Sequence, residues 1–339
     1  VHLRPKHLLA ILAIAAVVGG FLFTKYQEKK SATDNPAKLT HIRMALVNNP
    51  VSALAVIAAN QGFFTAEGIA LEQLPSTSGK TSIDLLIANQ ADLSLGGGPP
   101  LNFLSFTADH PLKLLSATTH HYDTAVYARK DRGIKEESDL PGKKIGYLPG
   151  TVSFIYWSRL LERHHWDIKD FEMVPLQPPA MVAALTGESV DAIVVWEPWG
   201  YNAMQQLKDN GLRLANDTEY YWTGFLYGRA SYINANPDVI QSVIRALLKA
   251  ESFIKDQPEK AIKIVADFIK VDPQHLSSFW NSYNFKIHLN QETTNNFLLN
   301  TAIIKKFIPE YANKPTPDFK NLIDPEPLRA VAPDRVQDW

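Results

Sequence analysis

The chain of 339 residues contains no cysteine. That excludes disulfides, thiolate metal sites and cysteine nucleophiles, and with them the lipidated cysteine that anchors bacterial lipoproteins. It also has no surplus of charge: 34 Lys and Arg stand against 35 Asp and Glu, a formal net charge of -1. A nucleic-acid partner would favour a basic face, so none is expected. Hydrophobic content of 45% and charged content of 20% are globular values, and the length suits two domains.

One apolar stretch stands apart. Arg4 and Lys6 precede an unbroken run of apolar residues and glycine from Leu8 to Phe23, and Lys25, Lys29 and Lys30 follow it. As a helix this run covers roughly 24 Å, short of the roughly 30 Å hydrocarbon core of a bilayer. It reads as the apolar core of a signal peptide, with Val18-Gly19-Gly20 near the cut, or as a retained anchor at residues 8–23. Either places the protein outside the cytoplasm, in the periplasm or on the outer side of the inner membrane. Residues 28–38 read as a linker.

A phrase in the remaining sequence occurs twice. Leu86-Ile87-Ala88-Asn89-Gln90-Ala91-Asp92 runs into Leu93-Ser94-Leu95 and then Gly96-Gly97-Gly98; Leu185-Thr186-Gly187-Glu188-Ser189-Val190-Asp191 runs into Ala192-Ile193-Val194-Val195 and then Trp196-Glu197-Pro198. Each copy closes a longer pattern. Residues 41–47, 69–74 and 91–95 read as strands separated by helices 51–60 and 82–88. Residues 144–148, 171–176 and 190–195 do the same around helices ending near His165 and Leu185. Each β-α-β-α-β unit predicts a parallel sheet with right-handed crossovers. Residues 124–129 and 225–230 read as crossing strands, a two-stranded hinge, and residues 237–255, 258–269 and 291–307 read as helices of a C-terminal tail.

Ligands of parallel α/β lobes sit beyond the carboxyl ends of the strands, where helix N-termini present free N–H groups that favour anions. Three such termini are candidates: Asn49 and Ser52; Ser78, Gly79, Lys80 and Thr81; and Thr151 and Ser153. Ordinary capping explains any one of them equally well. Trp196 beside Glu197 offers an aromatic wall and a carboxylate, suited to a cationic or donor-rich group, although Glu197 paired with a basic neighbour is the competing reading. His120-His121-Tyr122-Asp123 has the composition of a metal cluster. Adjacent side chains on a strand point to opposite faces, however, so no metal and no cofactor are expected; Thr119, His120 and Tyr122 remain hinge-side candidates for ligand contact.

The phrases at residues 59–69, at 139–146, and at Val190-Asp191-Ala192 through Trp196-Glu197-Pro198 resemble the periplasmic solute-binding proteins of the nitrate, sulfonate and taurine ABC importers, in the same order over residues 39–270. The resemblance implies a two-lobed periplasmic-binding-protein fold of type II. Lobe 1 would take residues 39–125, lobe 2 residues 126–224, and residues 225–339 would return to lobe 1 and add the C-terminal helices. It implies a monomeric, non-enzymatic receptor that closes on a small anionic or zwitterionic solute and docks on a permease with its ATPase. It also implies that the Gly96-Gly97-Gly98 segment lines the pocket, which adds Gly98 to the candidates. Relatives that bind pyrimidine precursors of thiamine, and enzymes on the same fold such as pyrimidine synthases or menaquinone-pathway dehydratases, are the alternatives.

Overall fold

The computed structural model describes residues 39–107, 110–214 and 221–337. The apolar run 8–23 and the linker lie outside the described residues.

The first sheet begins as the sequence predicts. Strand β1 (Thr40–Val47) is flanked by two parallel neighbours, β2 (Ile69–Ser76) and β3 (Leu93–Gly97). Helices Ala53–Asn60 and Gly79–Ile87 make the crossovers. Strand β4 (Leu112–His121) then leads to β5 (Thr124–Arg129), which belongs to the second sheet. That sheet repeats the first unit: β6 (Lys144–Tyr147), helix Val152–His164, β7 (Glu172–Pro175), helix Pro178–Thr186 and β8 (Ala192–Trp196), with β6 parallel to both β7 and β8. Strand β9 (Gly211–Arg213) completes it, and β10 (Trp222–Arg229) returns to the first sheet.

Both sheets are mixed rather than purely parallel. Their orders are β11-β4-β10-β3-β1-β2 and β7-β6-β8-β5-β9, where β11 is Tyr283–His288. The returning strand β10 runs antiparallel to β3 and β4, and the crossing strand β5 runs antiparallel to β8 and β9. A strand that leaves one lobe to enter the other arrives from the opposite end, so the antiparallel sense follows from the crossing itself. The C-terminal tail is not wholly helical: β11 pairs antiparallel with β4 and forms the sheet edge. Between the sheets the chain passes at Tyr122-Asp123, and β9 of the second sheet is followed in sequence by β10 of the first.

Helix Pro237–Asp256 buries Ile240, Val243, Ile244, Leu247, Ala250 and Ile254, one face at helical spacing, in the core of the first sheet. Helix Gln291–Phe307 belongs to both cores. Its Phe297 stacks on Phe225 at 5.2 Å in the first, and its Ile303 and Ile304 sit in the second. The lobes are thus joined by packing as well as by the two chain crossings.

The repeated phrase has a repeated geometry. Asn89 and Glu188, each just past a helix end, both take left-handed backbone conformations. Gln90 N donates to Leu85 O as Ser189 N donates to Ala184 O, so each helix closes on an equivalent C-terminal cap. Asp92 and Asp191 then do the same work. Each carboxylate accepts a bond from the backbone N–H of the adjacent parallel strand, Arg43 N at 3.0 Å and Lys144 N at 2.9 Å. This clasp lies where the strands enter the sheet, at the end opposite the Gly96-Gly97-Gly98 and Trp196 exits.

Candidate functional site

At those exits, helix N-termini from both lobes converge. Asn49 caps the turn Pro50–Ser52, its side chain accepting from Val51 N at 3.2 Å. Ser78 caps helix Gly79–Ile87 by accepting from Thr81 N at 3.2 Å, and Thr151 caps helix Val152–His164 by accepting from Ser153 N at 3.3 Å. The first-turn amides of such helices have no intrahelical acceptor, and the dipole leaves partial positive charge there.

These termini border a cavity of about 30 Å³. Its walls are Val47, Asn49, Val51, Gly79, Gly97 and Pro100 from the first lobe, Thr151, Val152 and Trp196 from the second, and His121 and Asp123 from the crossing. A Cβ built on Gly97 would meet nothing within 4 Å, so this glycine leaves the space beside it open. Pro100 also borders a wider, mostly apolar groove of about 620 Å³ that holds Phe103, Tyr147, Phe154 and Tyr311, with Lys80 and Asp84 at its edge.

Of the residues singled out in the sequence, Asn49, Gly79, Thr151 and Trp196 line the cavity and Lys80 the groove. The others lie elsewhere. Ser52 and Ser153 are fully buried and donate to the central strands, to Leu95 O at 3.5 Å and Val194 O at 2.6 Å. Ser78 and Thr81 bond each other at 3.0 Å. Gly98 donates its N–H to Thr223 O at 3.0 Å, and a Cβ there would fall 2.6 Å from the Phe225 ring, so its lack of a side chain serves packing. Thr119 is buried against Gly224.

Glu197 is set behind the wall. Tyr127 Oη donates to its Oε1 at 2.6 Å and the Tyr201 backbone N–H to its Oε2 at 2.9 Å. Burial pushes this carboxyl up from the usual range despite those bonds. Arg213 Nε lies 3.3 Å from the same Tyr127 oxygen.

The carboxylate at the cavity is Asp123 instead. It is held by His121 Nδ1 at 2.9 Å and Tyr283 Oη at 2.6 Å. The His121 and Tyr283 rings stack at 5.2 Å. His121 Nε2 and Trp196 Nε1 are buried and find no hydrogen-bond partner among the described residues. Two buried ring nitrogens without partners in one small cavity are costly unless a bound molecule satisfies them. Sequence reasoning named Thr119, His120 and Tyr122 as hinge-side candidates and passed over His121. The signal it lacked was the pairing of β4 with β11, which brings Tyr283 to Asp123 across 160 residues of chain.

The sequence family described as NMT1/THI5-like matches residues 49–261. A protein of Brucella abortus described as a binding protein is 23% identical over 232 residues, 67% of this chain and 70% of its own. A protein of Bacillus subtilis described as aliphatic sulfonates-binding is 24% identical over 274 residues, 79% of each chain. Among solved structures, the periplasmic aliphatic sulphonate binding protein of Escherichia coli superposes with a TM-score of 0.68 at 19% identity, covering 84% of this chain and 97% of that one. A desulfurization enzyme superposes with a TM-score of 0.67 at 15% identity over 87% and 99% of the two chains. Likenesses at such identity establish the shared two-lobed α/β fold and nothing finer.

Proposed function

The chain belongs to the NMT1/THI5-like family, and from that premise we propose that it is the substrate-binding receptor of an ABC importer, which captures a small organic anion between its lobes and hands it to a permease with its ATPase. The observation that carries this reading is the convergence on one cavity of two capped helix starts, one from each lobe, and the Asn49-capped turn that leads into helix Ala53–Asn60. Amide donors at helix N-termini stabilise an anionic head without a basic side chain. The cavity is small enough to enclose a compact head such as a sulfonate, and the apolar groove beyond Pro100 suits an aliphatic or aromatic body. Hinge closure over the ligand then presents the form that a permease recognises.

No helix among the described residues is long and apolar enough to cross a membrane. The apolar run 8–23 supports an extracytoplasmic site of action, as an export signal or as an anchor to the inner membrane. The non-enzymatic part of this reading is supported by the relatives, which are described as binding proteins.

The second reading, an aminopyrimidine ligand, is favoured by one observation: Asp123 and the Trp196 ring line the same cavity. Calorimetry on the purified protein with taurine, linear alkanesulfonates, nitrate, bicarbonate and a hydroxymethyl-aminopyrimidine separates the two. The receptor reading expects alkanesulfonates to bind and to tighten by about fourfold per added methylene, since each buried CH₂ contributes about 0.8 kcal/mol. Binding of the pyrimidine alone would replace it, and consumption of any bound compound would make the protein an enzyme.

A further inference from the structure

On the other face of β4 from His121, His120 points toward the C-terminal edge of the first lobe. There it meets His288, the last residue of β11, and Glu292 in the first turn of helix Gln291–Phe307. The Nε2 atoms of His120 and His288 are 3.3 Å apart, and Glu292 Oε2 lies 3.8 Å from the first and 4.0 Å from the second. The remaining ring nitrogens are occupied. His288 Nδ1 donates to Lys286 O at 3.0 Å, and His120 Nδ1 lies 3.1 Å from the buried Thr223 hydroxyl. The Lys286 carbonyl can only accept, so His288 Nε2 is a bare lone pair, and it faces a second imidazole nitrogen at close range.

We propose that His120, His288 and Glu292 form a binding site for a divalent transition metal of the zinc class, separate from the ligand cavity. The spacing fits the chemistry. With metal–nitrogen bonds of about 2.0–2.1 Å, two ligands of a tetrahedral ion stand about 3.3–3.4 Å apart, and the two imidazoles are already at that distance. Glu292 is largely exposed, with its side chain 60% accessible, and closes the remaining gap by a small rotation. The second contacts of both imidazoles, to Thr223 and the Lys286 carbonyl, are of the kind that orients metal-bound histidines. Nitrogen and carboxylate donors favour zinc over magnesium or calcium. The sequence alone argued against a metal here because it paired His120 with His121; the partner is instead supplied 168 residues later. A metal at this point would fasten β11 and the long C-terminal helix to the strand that leads into the crossing at Tyr122-Asp123. The assignment does not depend on which solute fills the cavity.

Equilibrium dialysis of the metal-free protein against Zn²⁺, with cobalt absorption as a probe of geometry, tests it. One zinc per chain is expected, with a tetrahedral cobalt spectrum and a raised melting temperature, none of which Mg²⁺ reproduces. Outer partners of metal ligands are themselves worth about 10–100-fold, so His288→Ala, which removes a ligand, should weaken zinc binding by at least about 100-fold and Glu292→Gln by at least about tenfold, while His164→Ala on the second lobe leaves it unchanged. Glu292 is exposed, so its variant reports on the site even if His288→Ala does not fold. Zinc retained at full affinity by Glu292→Gln and His288→Ala, or no zinc bound by the wild type at micromolar concentrations, would overturn the assignment.

Discussion

His121 Nδ1 stands 2.9 Å from Asp123 Oδ1, which leaves the other ring nitrogen of His121 buried at the cavity without a partner. The pair spans the chain crossing between β4 and β5, so the residue positioned to meet a ligand is also fixed to the hinge. His121→Phe keeps the ring's bulk and removes both nitrogens. Asp123 takes the Nδ1–H, so Nε2 is a lone pair that accepts from a ligand N–H; hydrogen bonds to charged groups contribute about 1.5–3 kcal/mol, so the affinity for taurine, whose ammonium donates, should fall at least about tenfold in calorimetry. Trp196→Phe, which removes only the indole N–H, should cost less. Unaltered affinity in both variants would show that these nitrogens do not face the ligand.

Phe103, from the helix Pro99–Ser105, and Phe154, from the helix Val152–His164, meet edge to face at 6.2 Å across the two lobes. Both line the apolar groove. Phe103→Ala should weaken binding of hexanesulfonate by about tenfold, because an aromatic wall loses roughly 1.5 kcal/mol or more of apolar contact. Taurine, with no long apolar body, should bind within about twofold of wild type. Equal loss for both compounds would mean that Phe103 acts on lobe closure and not on the ligand's body.

The caps at Asn49, Ser78 and Thr151 were legible in the sequence because a cap is local: the side chain bonds a backbone N–H two or three residues on. The two β-α-β-α-β units were legible for the same reason, since each element carries its own apolar pattern. Strand β4 was not. Ser116, Thr118, Thr119 and His121 are buried polar residues inside it, so it shows no alternation that marks a strand. Nor was the split between Gly97, which borders the cavity, and Gly98, which is packed under Phe225. That difference comes from β10, contributed more than a hundred residues later. Residues that act through local bonds were visible, and residues placed by long-range pairing were not.

Tyr127 Oη and Tyr201 N both donate to the buried Glu197 carboxylate. Its folded value is raised by burial. The folded state therefore holds this proton more tightly than the unfolded chain does. The resulting stabilisation is full below the ordinary carboxylate value and is lost as pH rises through the folded value. Glu197→Gln removes that dependence. In urea titrations the variant should gain stability relative to wild type between pH 4 and pH 7, and alkanesulfonate affinity should stay within about threefold, because Glu197 is not on the cavity wall. A tenfold loss of affinity would return Glu197 to the binding surface.

Asp92 and Asp191 clasp equivalent strands but differ in their surroundings. Asp92 also takes bonds from Arg43 Nη2 at 2.8 Å and Arg229 Nη2 at 2.6 Å, whereas among the described residues the Asp191 carboxylate has a looser ion pair with Arg132 Nε at 3.5 Å. Burial pushes the Asp92 carboxyl up, but the hydrogen bonds from Arg43 and Arg229 outweigh it and hold the group below the usual range. A carboxyl lowered in this way stabilises the fold above its ordinary value, and that contribution is lost as pH falls through it. Asp92→Asn leaves two guanidinium groups facing a neutral amide. It should cost about 2–3 kcal/mol at pH 7, against about 1 kcal/mol for Asp191→Asn, which loses mainly one charge-assisted backbone bond. The penalty for Asp92→Asn should shrink as pH falls below the ordinary carboxylate value, because the unfolded wild-type chain then takes up a proton that the folded carboxylate still refuses. Urea denaturation of both variants at pH 7 and pH 3 measures the difference. Equal penalties at pH 7 would mean that the arginines around Asp92 add nothing to the clasp that the repeat already supplies.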